Sequence, residues 1–417
     1  MPGSAIHVVG AGLAGLAAAV RLADGSREII LHEAARQAGG RCRSYHDAQL
    51  GMTIDNGNHL LLSGNVSARN FLAAIGGAEE MQGPDDAEFS FVDLASMQRW
   101  VVRPNAGPLP WWIFSAHRRT PGSRWSDHLA LLRLLLPGGD RPIAEVMRCE
   151  GALYERLWRP FLLAALNTEP KEGSRRLAAA VVRETLAKGG VACRPLVAAH
   201  GLSAAFIEPA LRHLAARGAQ IRFDHRLKKI IFSQDRIDAL DFGEETTPLG
   251  PQDHVILAVP PNVARELLPE LETPESFRAI VNAHFKIPPP ADLPPVLGVI
   301  NGTVEWIFAF PDRISITISG ADRLLDVPRE ELAQSLWAEV VRAAHIEKPL
   351  PPWQIIKEKR ATFAATVAEN TRRPDAATAY ANLTLAGDWT ATGLPATIEG
   401  AIRSGDLAAD LVARSRR

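Results

Sequence analysis

The stretch that decides the fold runs from Ala5 to Ser44, "AIHVVGAGLAGLAAAVRLADGSREIILHEAARQAGGRCRS". Ala5–Val9 reads as a short buried strand, Leu13–Ala23 as a helix of small and aliphatic residues, and Glu28–His32 as a second strand. Between the first strand and the helix stands Gly10-Ala11-Gly12-Leu13-Ala14-Gly15, a G-x-G-x-x-G run. Gly10 makes the tight turn, Gly12 lets the backbone approach a pyrophosphate, and Gly15 lets helix pack on strand. Phosphates then lie on free N–H groups at the helix N-terminus, where the dipole favours negative charge. Glu33 closes the second strand at about the spacing that reaches a ribose hydroxyl. The pattern predicts a dinucleotide site; a glycine-rich turn without a ligand is the bland alternative.

The glycines do not choose between NAD and FAD. Two other features do. Gly39-Gly40-Arg41 offers a second backbone loop and an arginine that can complete a pyrophosphate site. Near the C-terminus, "TLAGDWTATGLPATIEGAIRSG" gives a strand, a turn with Gly387-Asp388, and a helix N-terminus near Pro395, Ala396, Thr397 and Ile398. The Asp388 carboxylate can hold ribityl hydroxyls. The helix dipole can stabilise charge building on a reduced isoalloxazine ring. A nicotinamide has no use for these grips, so a resident FAD is expected.

The bulk numbers agree with an ordinary globular protein. The chain has 417 residues, 47% hydrophobic and 22% charged, with 46 Lys+Arg against 47 Asp+Glu. That length implies two domains or one large interleaved fold. No basic excess or basic tail points to nucleic acid. The Met-Pro-Gly-Ser start has no charged and apolar leader, and no apolar run reaches the ~18 residues of a membrane span. A cytoplasmic protein is expected, with peripheral contact to the inner face of the cell membrane left open. Cys42, Cys149 and Cys193 are odd in number and lack a C-x-x-C, so neither a disulfide scaffold nor a metal site is expected.

Along the chain, "EFSFVDL" and "MQRWVVR" alternate like the arms of a hairpin. Pro108–Lys188 turns helical. Leu202–Ala216 looks helical, "AQIRF" is a strand, and "RLKKIIF…RIDALDF" is a hairpin. "DHVILAVPP" is a buried strand stopped by its prolines. Ala279–Ser319 is strand-rich, Arg329–His345 is a helix, and Pro395–Ala413 is the closing helix. The fold class expected is α/β, with a discontinuous Rossmann-type FAD-binding domain and an interleaved α+β substrate domain. Segments 1–77, 200–262 and 376–417 are assigned to the first. The mostly helical 78–199 and the strand-rich 263–375 are assigned to the second.

The glycine run, the acidic residue, G-G-R and the "GDWT" end resemble the FAD-dependent amine oxidase and phytoene desaturase superfamily. Within it, "IDNGNHLLL", "LWRPFLLAALNTEP", "HGLSAAFIEPALRHLAARGAQIR", "VILAVPP" and "NGTVEWIF" resemble the squalene-associated FAD-dependent desaturases, or hydroxysqualene dehydroxylases. The stretch "KIPPPADLPP" departs from that pattern. The resemblance implies that reduced FAD removes the hydroxyl of hydroxysqualene, with a hydride from flavin N5, to leave squalene for hopanoid synthesis. It also places Asn56, Gly57, Asn58 and His59 beside the isoalloxazine ring, with Leu227 among the cofactor-binding residues. Some relatives link FAD through a cysteine near the last turn. This segment has none, so the cofactor is expected to be noncovalent.

The proton donor is less legible. His59 is a candidate acid if its pKa lies near neutrality, or a histidine that only hydrogen-bonds the fold. His284 is a second candidate, and Asn167 and Trp306 are candidate walls of a pocket for an apolar polyprenoid. Other flavin reactions on the same fold stay open: desaturation of a polyene, oxidation of an amine, or a non-catalytic FAD-binding scaffold. No second G-x-G-x-x-G serves NADPH, so the electron donor is not written in the chain. Residues 110–137, "PWWIFSAHRRTPGSRWSDHLALLRLLLP", carry Trp111, Trp112 and Trp125 with a leucine run and arginines. They read either as a membrane-surface segment or as substrate-domain core.

Overall fold

The computed structural model describes residues 4–414. The Met-Pro-Gly start and the last three residues, and with them the outer ends of segments 1–77 and 376–417, lie outside the described residues. Five parallel strands form one sheet, in the order Gln220–Arg222, Glu28–His32, Ala5–Val9, His254–Leu257, Leu383–Leu385. The aliphatic runs Ala5–Val9, His254–Leu257 and Leu383–Leu385 are buried on both faces, as a parallel sheet requires. Helices Leu13–Leu22 and Ile398–Arg414 cover one face. They meet so closely at Gly405 that a Cβ there would stand 2.2 Å from the Ala14 carbonyl oxygen. On the other face a meander of Lys229–Ser233, Arg236–Asp241 and Thr246–Pro248 packs Ile230, Ile237 and Leu240 against Val9, Val255 and Leu257.

A second sheet has seven strands, in the order Trp353–Phe363, Phe277–Phe285, Arg313–Ile318, Trp306–Phe310, Val296–Ile300, Phe89–Asp93, Arg99–Val102. Neighbours run antiparallel except for the parallel Val296–Ile300 and Phe89–Asp93 pair. Side chains alternate across it. Val281, Ala283, Phe285, Ile314, Ile316 and Ile318 face helix Arg329–Ala344 and pack on its Leu336, Trp337 and Val340. The intervening Asn282, His284, Arg313, Ser315 and Thr317 are polar, yet they too are buried. A buried polar face must find partners, and those partners define the site.

Residues 108–188 fold as several short pieces, the longest Arg175–Glu184 and Arg159–Leu166. Two π-turns, Tyr154–Trp158 and Ser203–Ile207, each lead into a helix with a proline in its first turn, Pro160 and Pro209. Proline lacks an N–H and crowds the carbonyl four residues back, and a widened turn ahead of it relieves both. Trp112 is turned inward, unlike Trp111 and Trp125. It is 6% exposed and stands edge-on to His128, which is edge-on to Trp158. No helix of the described residues is long and apolar enough to cross a membrane.

Candidate functional site

The glycine run builds a cradle with three different jobs. Gly10 has a φ of +107°, donates its N–H to the His32 carbonyl at 2.7 Å, and leaves no room for a Cβ, which would lie 2.4 Å from the Ala258 oxygen. A Cβ on Gly15 would lie 1.9 Å from the Gly10 oxygen, so helix and turn touch there. Gly12 differs: a Cβ on it would have no protein atom within 4 Å. Gly12 is also the N-cap of helix Leu13–Leu22, and neither a capping side chain nor an acidic residue sits in the first turn. The N–H groups at Leu13 and Ala14 thus head an uncapped helix beside open space, the arrangement an anion needs.

Around this cradle the chain closes in from three directions. Glu33 accepts N–H bonds from Ala11 at 2.7 Å and Ala35 at 2.8 Å, which fixes its carboxylate at the rim of the glycine turn. His225 donates its backbone N–H to the Glu33 carbonyl at 2.8 Å, and buried Leu227 follows it. Gly39 donates its N–H to the Ala11 carbonyl at 2.8 Å, and the Gly40 loop lies directly over Gly12. Arg41 reaches across to both oxygens of buried Asp388 at 2.7 Å. Gly387 is held by the Ser404 hydroxyl, which accepts its N–H at 2.8 Å. Pro395 and Ala396 then lead to Thr397, whose hydroxyl accepts the Gly400 N–H and caps the helix that begins at Ile398.

Asn56–His59 crosses the polar face of the second sheet. Asn56 donates to Glu358 at 3.3 Å. Asn58 donates its side-chain N–H to the Ile316 carbonyl at 3.1 Å and the Thr317 hydroxyl at 3.2 Å, and its Oδ1 is buried without a partner. Gly57 passes so close that a Cβ would be 3.1 Å from Asn282. Asp55, in contrast, is structural: it accepts from Ser44 at 2.6 Å and Leu202 at 2.8 Å.

Three expectations need correction. His59 is half-buried, and burial with the nearby Arg41 charge pushes its imidazole down to about 4. The shift is away from the near-neutral value that a proton donor at pH 7 calls for. His284 is fully buried with both nitrogens engaged, Nδ1 with the Ser315 hydroxyl at 2.7 Å and Nε2 with the Asp55 carbonyl at 3.1 Å. Burial holds it down to about 3, so it is a strut between sheet and site loop rather than an acid. Asn167 sits at a left-handed helix end, φ +48°, donating to the Thr362 hydroxyl and the Arg278 carbonyl and accepting from Gly320. It is buried and hydrogen-bonded through both its oxygen and its nitrogen, which is the setting of a residue that ties elements together. Trp306 is buried against Phe91 at 5.7 Å between ring centres, but its Nε1 has no protein partner.

Sequence reasoning missed two features. Glu305, directly ahead of strand Trp306–Phe310, accepts the Ser319 N–H at 2.8 Å, and burial raises its carboxyl to about 7. The second is a ladder of stacked imidazoles behind Glu33. His7 and His32 are joined nitrogen to nitrogen at 3.0 Å, His32 and His225 at 2.9 Å, and His225 and Glu245 at 3.0 Å. Histidines within two adjacent parallel strands, His7 in the middle of one and His32 at the end of the other, are the available signal. Burial and the neighbouring histidine push His32 down to about 3, and burial lowers His7.

The open space over Gly12, the uncapped helix and the orphaned Asn58 oxygen fit a dinucleotide cofactor. Comparison with known proteins agrees. Residues 13–413 match the family described as flavin containing amine oxidoreductase. The chain is 55% identical over 413 residues to hydroxysqualene dehydroxylase of Rhodopseudomonas palustris, covering 99% of each. The chain belongs to the hydroxysqualene dehydroxylase family. To the Sinorhizobium fredii member it is 54% identical, over 97% of each chain. A solved oxidoreductase from Methanosarcina mazei shares the fold at a TM-score of 0.72 and 14% identity, over 96% of this chain and 99% of that one. Membership in this family makes the chain a flavin oxidoreductase with a Rossmann-type fold.

Proposed function

We propose that the chain holds FAD noncovalently and reduces hydroxysqualene to squalene, a step toward hopanoids. The observation that carries this reading is 55% identity spread over 99% of both chains, which spans the cofactor unit and the substrate unit alike. Noncovalent binding rests on the 387–400 segment, which contains no cysteine. Bound, reduced FAD supplies the hydride that replaces the departing hydroxyl. The chain's own residues hold and orient that cofactor through Glu33, the Gly12 and Gly40 loops, Arg41 and Asp388. The apolar Trp306, Phe308 and Phe310, on the same face as Thr317 and Ser315, keep water away from a reacting carbon. The test is anaerobic incubation of the reduced holoprotein with hydroxysqualene, followed by mass spectrometry. Squalene is expected; a desaturated product, or none, overturns the reading.

A departing hydroxyl needs a proton. Burial raises the Glu305 carboxyl to about 7 and lowers His59 and His284 to about 4 and about 3, so Glu305 is the donor we propose. An acid works only while protonated, so kcat should fall as pH rises through about 7. Glu305→Gln should lower kcat at pH 6 by roughly a hundredfold with flavin content unchanged. His59→Ala should leave the profile above pH 5 where it was. A Glu305→Gln enzyme with wild-type kcat would remove Glu305 as the donor.

A further inference from the structure

Most exposed apolar side chains on a folded surface are scattered, and contiguous ones mark a contact. Here the rings of Trp111, Phe114 and Trp125 form one line, 6.3 Å and 5.8 Å between successive centres. They are 66%, 57% and 49% exposed. Beside them, helix Leu129–Leu135 carries leucines on both its sides, with Arg133 its one charged residue. Leu131 and Leu134 are buried in the core, while Leu129, Leu132 and the following Leu136 are about half exposed. A helix at a water boundary ordinarily carries polar residues on that outer side.

The charges around the patch say what covers it. Residues 109–136 contain Arg118, Arg119, Arg124 and Arg133 but only one acidic residue, Asp127, in a chain whose net charge is −1. Arg118, Arg124 and Arg133 are exposed. Tryptophan favours the headgroup layer, and arginine beside an apolar helix face favours anionic lipid. A second copy of this chain fits poorly, because a two-fold contact through this surface sets arginines against arginines.

We propose that this patch seats the protein on an anionic phospholipid surface. Its aromatic line and outer leucines enter the headgroup layer, and Arg118, Arg124 and Arg133 meet lipid phosphates. The surface goes beyond the reaction proposed above, since it rests on exposure and charge and holds for any substrate. Its inner side joins the buried Trp112–His128–Trp158 column, so the lipid contact backs directly onto the helical core.

The experiment is flotation of the holoprotein with vesicles of phosphatidylcholine alone or mixed with phosphatidylglycerol. The wild type should float with the mixed vesicles. Combined Trp111→Ser, Phe114→Ser and Trp125→Ser should cut the bound fraction at least roughly tenfold, with flavin content and Tm unchanged because those rings are exposed. Arg118→Gln, Arg124→Gln and Arg133→Gln together should reduce the preference for phosphatidylglycerol by roughly tenfold or more. Equal flotation of the aromatic variant and the wild type would overturn the proposal. So would a wild type that floats with neither vesicle but forms a dimer that the aromatic variant abolishes.

Discussion

Gly12→Val is expected to yield a folded, colourless protein, while Gly15→Val yields little folded protein at all. The two glycines stand three residues apart in one motif, but their surroundings are opposite. A side chain at Gly12 meets no protein atom within 4 Å, so the fold has nothing to resist it. That same space is where a cofactor phosphate must approach the backbone, and branched carbons there exclude it. At Gly15 the first added carbon would already overlap the Gly10 oxygen, at 1.9 Å. Helix and turn would have to separate, at a cost of several kcal/mol typical of severe overpacking. Flavin absorbance and thermal unfolding of the purified variants check both halves. Full flavin occupancy in the Gly12→Val protein would mean that the cradle is not the phosphate site.

Acid should unfold the protein earlier than its carboxylates alone would. His32 is neutral in the fold down to about 3, against 6.5 in an open chain. Between those values the unfolded state binds the extra proton, so the contribution is complete above pH 6.5 and is lost as pH falls toward 3. One such histidine changes stability by about 1.4 kcal/mol per pH unit in that window. The ladder explains why protonation is resisted: each nitrogen-to-nitrogen bond needs one bare nitrogen, and two added protons would set like charges about 3 Å apart. Urea midpoints measured from pH 7 to pH 4 should fall steeply in the wild type. In His32→Phe the slope should be shallower by up to one proton. An unchanged slope would show that the ladder does not titrate. Glu33 follows His32 directly, so flavin release should accompany the acid loosening.

The cofactor unit was legible because its signals are local. Gly10, Gly12 and Gly15 act within one turn, and the Ala5–Val9 and Glu28–His32 strands are short aliphatic runs bounded by glycine or charge. Strand Trp353–Phe363 is not legible in the sequence, since Lys357-Glu358-Lys359-Arg360 interrupts any alternation and Lys359 and Arg360 are exposed. His284 and Asn167 were misjudged for a different reason. Whether a polar side chain serves chemistry or ties two elements together depends on partners such as Ser315, Thr362 and Gly320, which are 31, 195 and 153 residues away. For His59 the pKa is lowered by burial and by Arg41, neither of which its own neighbours in sequence announce.

The parallel sheet has a consequence for synthesis on the ribosome. Its edge strand Leu383–Leu385 and the helix Ile398–Arg414 that packs on Leu13–Leu22 come from the last tenth of the chain. Asp388, the partner of Arg41, arrives with them. The glycine cradle is the first part made, yet it waits through nearly the whole of translation for the pieces that close it. A nascent chain therefore passes most of its life on the ribosome with a half-built cofactor cleft and an uncovered helix Leu13–Leu22. Its first tight grip on flavin should come only after release, which makes the supply of free flavin a determinant of how much newly made chain escapes degradation.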